Sequence, residues 1–152
     1  MRPPARLDQL EIVVPRFGAQ PEAVFDLAAA QVSAVGEALV YYRRVRFAGQ
    51  ALDAAAVLKM RALDGLAEQA HTPGEGAGQI VFRINAADAR VLAETCALYV
   101  ADRDVESYQS PEERDRIALL SALSEPLRQV SVDLRAAEAQ LARQACAAAG
   151  PQ

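Results

Sequence analysis

Tryptophan is missing from these 152 residues, and lysine, histidine and asparagine occur once each, as Lys59, His71 and Asn85. Aromatics reach only 5 %, and the 52 % hydrophobic content is inflated by alanine. Alanine is the best helix former, so the composition favours helices packed closely through small side chains. Cysteine is scarce as well. Cys96 and Cys146 fit no metal spacing and frame no disulfide scaffold, which suits a reducing compartment. Cys96 falls on an apolar helical stripe and reads as a buried structural thiol. No run approaches the length of a membrane span, and Met1-Arg2-Pro3-Pro4 leads into no apolar h-region. A soluble cytoplasmic protein without membrane contact is the expectation.

The chemistry of catalysis is thinly represented. No Gly-x-Ser-x-Gly elbow, phosphate-binding loop or dinucleotide fingerprint occurs. Gly74, Gly76 and Gly78 precede a strand, the reverse of the order in which a phosphate loop leads into a helix. His71 ends a predicted helix, where it answers the helix dipole. Glu11, Glu37 and Glu94 are isolated carboxylates, with no second spaced set for metal-assisted hydrolysis. Neither an enzyme nor a cofactor is expected. The net charge of −4 argues against a general nucleic-acid or anionic-membrane binder. That charge is uneven: acids and bases balance through Gly74, and the whole excess of acid falls from Glu75 onward.

The plainest pattern that is present runs from Gln79 to Leu123. Ile80, Phe82 and Ile84 alternate with Val81 and Arg83 as in a half-buried strand. Asn85 is placed to cap a helix whose apolar face carries Val91, Leu92, Thr95, Cys96, Leu98 and Tyr99. Ser110-Pro111-Glu112-Glu113 then opens another helix with a capping box and proline at its first position. Upstream, Leu10, Ile12 and Val14 form a first strand that Pro15 closes at a sheet edge. Phe17 to Gln20 turns the chain, and Pro21 is read as the first turn of a helix bearing Val24, Leu27, Val35, Leu39 and Tyr42. Gly36 within it marks either a close helix contact or mere tolerance. Asp53 caps the next helix, with Leu52 and Val57 as a hydrophobic staple, and residues 72–78 form a flexible linker. Ser124-Glu125-Pro126 breaks or kinks the chain before a last helix, about 126–149, in which Leu127, Leu134 and Leu141 recur every seven residues.

These elements predict a single mainly helical α+β domain, with a small two-stranded sheet under four or five helices. The stretches 9–71 and 79–123 both read strand, helix, loop, helix, a candidate internal duplication with matches at about 60 residues, and the last helix lies outside it. Two loops carry candidate sites. Asp102, Asp104, Glu106 and Glu113 occupy ligand positions 1, 3, 5 and 12 of a calcium loop, but Ser107 stands where its sharp turn needs glycine. No metal binding tighter than about millimolar is therefore expected. Tyr41, Tyr42, Arg43, Arg44 and Arg46 interleave aromatics with arginines as single-strand nucleic-acid surfaces do; the plainer reading is an exposed basic loop with Val45 and Phe47 tucked inward. At the 60-residue spacing Arg44 and Arg46 match Asp104 and Glu106, opposite charges at equivalent places. A non-enzymatic interaction or assembly protein that self-associates is the leading expectation. Its contacts would be Arg43, Arg44, Arg46, Asp104, Glu106, Leu134 and Leu141. A nucleic-acid-associated regulator using the Tyr/Arg patch is the alternative.

Overall fold

A computed structural model describes residues 7–14, 20–47, 53–71, 79–105 and 108–149. In chain order the elements are β1 (Asp8–Val13), β2 (Glu22–Ala28), α1 (Ala29–Phe47), α2 (Ala54–His71), β3 (Gln79–Ile84), α3 (Ala86–Arg103) and α4 (Pro111–Ala149). The mainly helical α+β class holds. Among the described residues the sheet has three antiparallel strands in the order β1-β2-β3, not two, and four helices cover it.

The added strand is β2, in the stretch expected to begin a helix at Pro21. Ala23, Phe25 and Leu27 are buried while Glu22, Val24 and Asp26 are half-buried, the alternation of a pleated strand. A short apolar run satisfies both periods locally. Here β1 on one side and β3 on the other supply ladder bonds that a helix would forgo. Pro21 stands just ahead of the strand, where its missing N–H breaks no ladder bond. The helix begins only at Ala29, and Gln31 Oε1 accepts from the Ala28 N–H at 2.9 Å, the back-reaching half of a capping box.

A second correction concerns Pro126, which sits inside an unbroken α4. The proline forfeits one bond, to the carbonyl of Ala122, an exposed residue of the helix. Leu120, Leu123, Leu127, Val130 and Leu134 are all at most 3 % exposed, so packing on both sides of the proline keeps the helix continuous despite the local cost. The starts of α2, α3 and α4 fit the sequence signals. Asn85 Oδ1 accepts from Asp88 N–H at 2.9 Å, Asp53 Oδ1 from Ala56 N–H at 2.7 Å, and Ser110 Oγ from Glu113 N–H at 3.1 Å. Val57 is exposed, and Leu52, its expected staple partner, lies outside the described residues along with the linker 72–78.

The element starts recur 57 residues apart: β2, α1 and α2 begin at 22, 29 and 54, and β3, α3 and α4 at 79, 86 and 111. β1 stands outside this recurrence. Ala23 pairs with Ile84, Phe25 with Phe82 and Leu27 with Ile80 across the ladder. Moving each member of the first pair by 57 gives the third, so an approximate two-fold axis passes through the Phe25–Phe82 pair. The two rings stack there at 5.9 Å, both fully buried. As the axis requires, α1 packs on α3, α2 touches α3 and β3, and α4 touches α1 and β2. The outer edge of β3 is closed by the Gln69 amide, which donates to Arg83 O at 3.0 Å and accepts from Arg83 N–H at 2.9 Å. Cys96 is fully buried in α3, and burial pushes its thiol up to about 12, which leaves it inert. Among the described residues no helix is long and apolar enough to cross a membrane.

A methyl group added at Gly36 would meet nothing within 4 Å, so Gly36 is not at a close helix contact. Gly36→Ala should therefore stabilise the fold by about 0.5–1 kcal/mol through helix propensity alone, read as a raised midpoint in urea. A lowered midpoint would show that the site is packed after all.

Candidate functional site

The polar centre of the second unit is a buried carboxylate. Glu113 lies one turn into α4 and is 7 % exposed. Its backbone N–H is taken by Ser110, but its side chain does not return to the cap as a full capping box would have it. It turns toward α3 instead. Arg103 Nε donates to Oε1 at 2.9 Å, Arg116 Nη1 donates to Oε2 at 2.7 Å, and the Tyr99 hydroxyl lies 2.9 and 2.8 Å from the two oxygens. Burial works to raise the Glu113 carboxyl. The hydrogen bonds from Arg103 and Tyr99, with the charges of Arg103 and Arg116, outweigh it and hold the carboxyl below its ordinary value. The Tyr41 ring meets Tyr99 edge-on at 5.2 Å, with the Arg103 guanidinium 6.0 Å from both ring centres.

This arrangement decides where the acidic residues stand. Glu113 is neutralised by two arginines, Asp102 Oδ2 accepts from the Tyr41 hydroxyl at 2.9 Å, Asp104 is the exposed C-cap of α3, and Glu106 lies outside the described residues. The described members of the calcium-loop set are thus not brought together. Among the described residues no group of three or more His, Cys, Asp or Glu is placed to hold a metal ion.

The basic segment is not a loop. α1 continues through Phe47, and its helical turn scatters the five residues expected to act together. Tyr42 is buried, Tyr41 leans on Tyr99, Arg43 pairs outward with Asp64, and Arg44 and Arg46 are exposed in the last turn. Val45, expected inside, is 45 % exposed, while Phe47 is half-buried against Tyr42. Among the described residues no ion pair joins Arg43, Arg44 or Arg46 to Asp104. At the 57-residue spacing of the elements Arg46 matches Arg103 and Arg44 matches Ala101, so the opposite-charge matches belong to the 60-residue spacing only. Leu134 is fully buried against the domain, and Leu141 is half-buried.

Beside Tyr42 the surface opens into a cleft of about 590 Å³, bounded by Arg46, Phe47, Lys59, Glu94 and Leu98. Lys59 Nζ lies 3.0 Å from Glu94 Oε2 and 5.6 Å from the centre of the Tyr42 ring. The Tyr42 phenol and, after it, the Glu94 carboxylate hold the Lys59 ammonium above its ordinary value against the opposing effect of burial. Glu94 is shared with Arg90, 3.2 Å away on the same helix. Neither Lys59 nor the set around Glu113 stands out by local pattern. The signal available was the recurrence of Tyr42, Arg46 and Lys59 as Tyr99, Arg103 and Arg116, 57 residues on.

Because the folded-state Glu113 carboxyl sits below its unfolded value, its pairing stabilises the fold fully above the unfolded value. That contribution is lost as pH falls through the folded value. Glu113→Gln should cost about 1–3 kcal/mol at neutral pH, and the gap from the native chain should close as the carboxylate range is crossed downward. Urea unfolding at pH 7 and at pH 3 checks this; a pH-independent difference would contradict it. Compared with family models, curated proteins and solved structures, the chain matches none, and what it does has to be read from its own side chains.

Proposed function

We propose that the protein is a non-enzymatic, cytoplasmic assembly protein that associates with a second copy of itself along the distal part of α4. The observation that carries this reading is an overhang. α4 runs 15 residues past Leu134, the last of its buried residues, which is about 22 Å of helix. In that extension Leu141 is the one large apolar side chain. It lies a heptad beyond Leu134 and is only half covered. A helix segment of this length without a tertiary face is marginal in water, and a second helix on the Leu134–Leu141 seam would give it one. Exposed charges at Arg44 and Asp104, with Glu106, would select register more than hold the pair, at ~0.2–1 kcal/mol per exposed ion pair.

The same proposal takes the two strand–helix–helix units as descendants of one. Val24, Phe25, Glu37, Tyr42, Arg46, Leu63 and Leu66 recur identically 57 residues on, and the buried positions coincide along both helices. A nucleic-acid role has less support, since Tyr42 is buried and the Tyr41 ring is already engaged.

Light scattering across concentration tests the association. The native chain should show at least twice its monomer mass, and Leu141→Glu should return it to monomer with its melting temperature little changed. Leu134→Ala, by contrast, should cost about 2–5 kcal/mol of folding stability because that site is core. A native chain that stays monomeric at high concentration, or a Leu141→Glu variant of unaltered mass, would sink the reading.

A further inference from the structure

Two sets of side chains stand at matching places in the two units, and only one set is complete. Tyr99, Arg103 and Arg116 converge on the Glu113 carboxylate. The residues 57 before these donors are Tyr42, Arg46 and Lys59: the same phenol, the same guanidinium, and an ammonium for the second guanidinium. The residue 57 before Glu113 is Ala56. Ala56 holds the same station on its helix, because its N–H is capped by Asp53 as the Glu113 N–H is capped by Ser110. The donors are repeated and the acceptor is not.

The charges around them follow the same logic. Lys59 faces Glu94 across the units, and Arg116 feels the charge of Glu37, the residue 57 before Glu94. In the second unit two cations face two acids, Glu37 and Glu113. In the first unit Arg46 and Lys59 have Glu94 alone, which Arg90 also shares, so positive charge is left in excess. Arg46 is exposed and has no carboxylate partner among the described residues. All three donors line the open cleft together with Glu94, and the rest of its wall is apolar, formed by Phe47, Leu98 and two alanines. Its volume of about 590 Å³ suits a small organic molecule.

We propose that this cleft binds a small monocarboxylate with an apolar body, its carboxylate supplying to Tyr42, Arg46 and Lys59 what Glu113 supplies to Tyr99, Arg103 and Arg116. A guanidinium and an ammonium donate charge-assisted hydrogen bonds to the two oxygens, and the body lies along Phe47 and Leu98. The excess of positive charge calls for an anionic group. Glu94, in the same lining, disfavours a second negative charge and so selects against phosphate and dicarboxylates.

Hexanoate titrated into the full chain at low salt, followed by amide chemical shifts, tests the assignment, with 1-hexanol and inorganic phosphate as controls. Hexanoate should saturate, both controls should bind about tenfold or more weakly, and added salt should weaken hexanoate. Arg46→Gln removes an exposed charge and should weaken hexanoate about tenfold with the spectrum of the fold retained. Ala56→Glu places the missing carboxylate within the chain; it should raise the melting temperature and abolish hexanoate binding. No saturable binding by the native chain, controls that bind as tightly as hexanoate, or undiminished binding by Arg46→Gln would overturn the proposal. So would an Ala56→Glu chain that folds and still takes up hexanoate as the native chain does. Should that variant fail to fold, Arg46→Gln decides alone.

Discussion

The β2–β3 ladder, centred on the stacked rings of Phe25 and Phe82, is the contact on which the rest of the molecule depends. A strand's side chains alternate between faces, so its register decides which residues are buried, and a slip of one would turn Phe25, Leu27, Phe82 and Ile84 out of the core together. The same register sets the relation of the helices. Each strand feeds directly into the first helix of its unit, and the pairing brings α1 and α3 side by side over one face. α2 and α4 each pack on the first helix of their own unit and also reach the opposite unit, α2 on α3 and β3, α4 on α1 and β2, so the two units share one core.

An approximate two-fold arrangement lets like positions diverge in charge while keeping their geometry. At one station Glu113 is buried and satisfied by three donors. At the matching station Ala56 leaves the corresponding donors facing a cleft. Removing a buried acceptor normally leaves costly orphaned charge. Here the cost is kept small because Arg46 reaches water and Lys59 turns to Glu94. Where the second unit has an internal salt-bridge cluster, the first presents an accessible, cation-lined surface. The units also differ at their sheet edges: β1 lies on the outer edge of β2, and the Gln69 amide covers that of β3 at Arg83.

Much of the fold was legible wherever a local signal was unambiguous. Asn85, Asp53 and Ser110 cap the helices they announce, Gln79–Ile84 is a strand, and Cys96, Tyr99 and Leu134 are buried. β2 was hidden because no turn residue separates it from α1: Ala28 passes straight to Ala29, and the N-cap carries no Ser, Thr, Asp or Asn. Its cap comes instead from Gln31, three residues on, a signal with only one half present. Pro126 was misleading since local geometry disfavours it while long-range burial on both sides overrides the local term. The site was harder still. Recurrence was visible, but apolar matches at helical spacing suggested about 60 residues where the elements keep 57. At the wrong spacing Arg46 falls on Glu106 and the match of Tyr42, Arg46 and Lys59 to Tyr99, Arg103 and Arg116 disappears.

The central claim is the pairing of two equivalent strands about Phe25 and Phe82, and backbone nuclear Overhauser effects across β2 and β3 test it most directly. The account predicts cross-strand contacts joining Ala23 with Ile84, Phe25 with Phe82 and Leu27 with Ile80, and the intervening pairs Val24 with Arg83 and Asp26 with Val81. Sequential amide contacts of a helix through Glu22–Ala28, or cross-strand contacts displaced by even one residue, would contradict it.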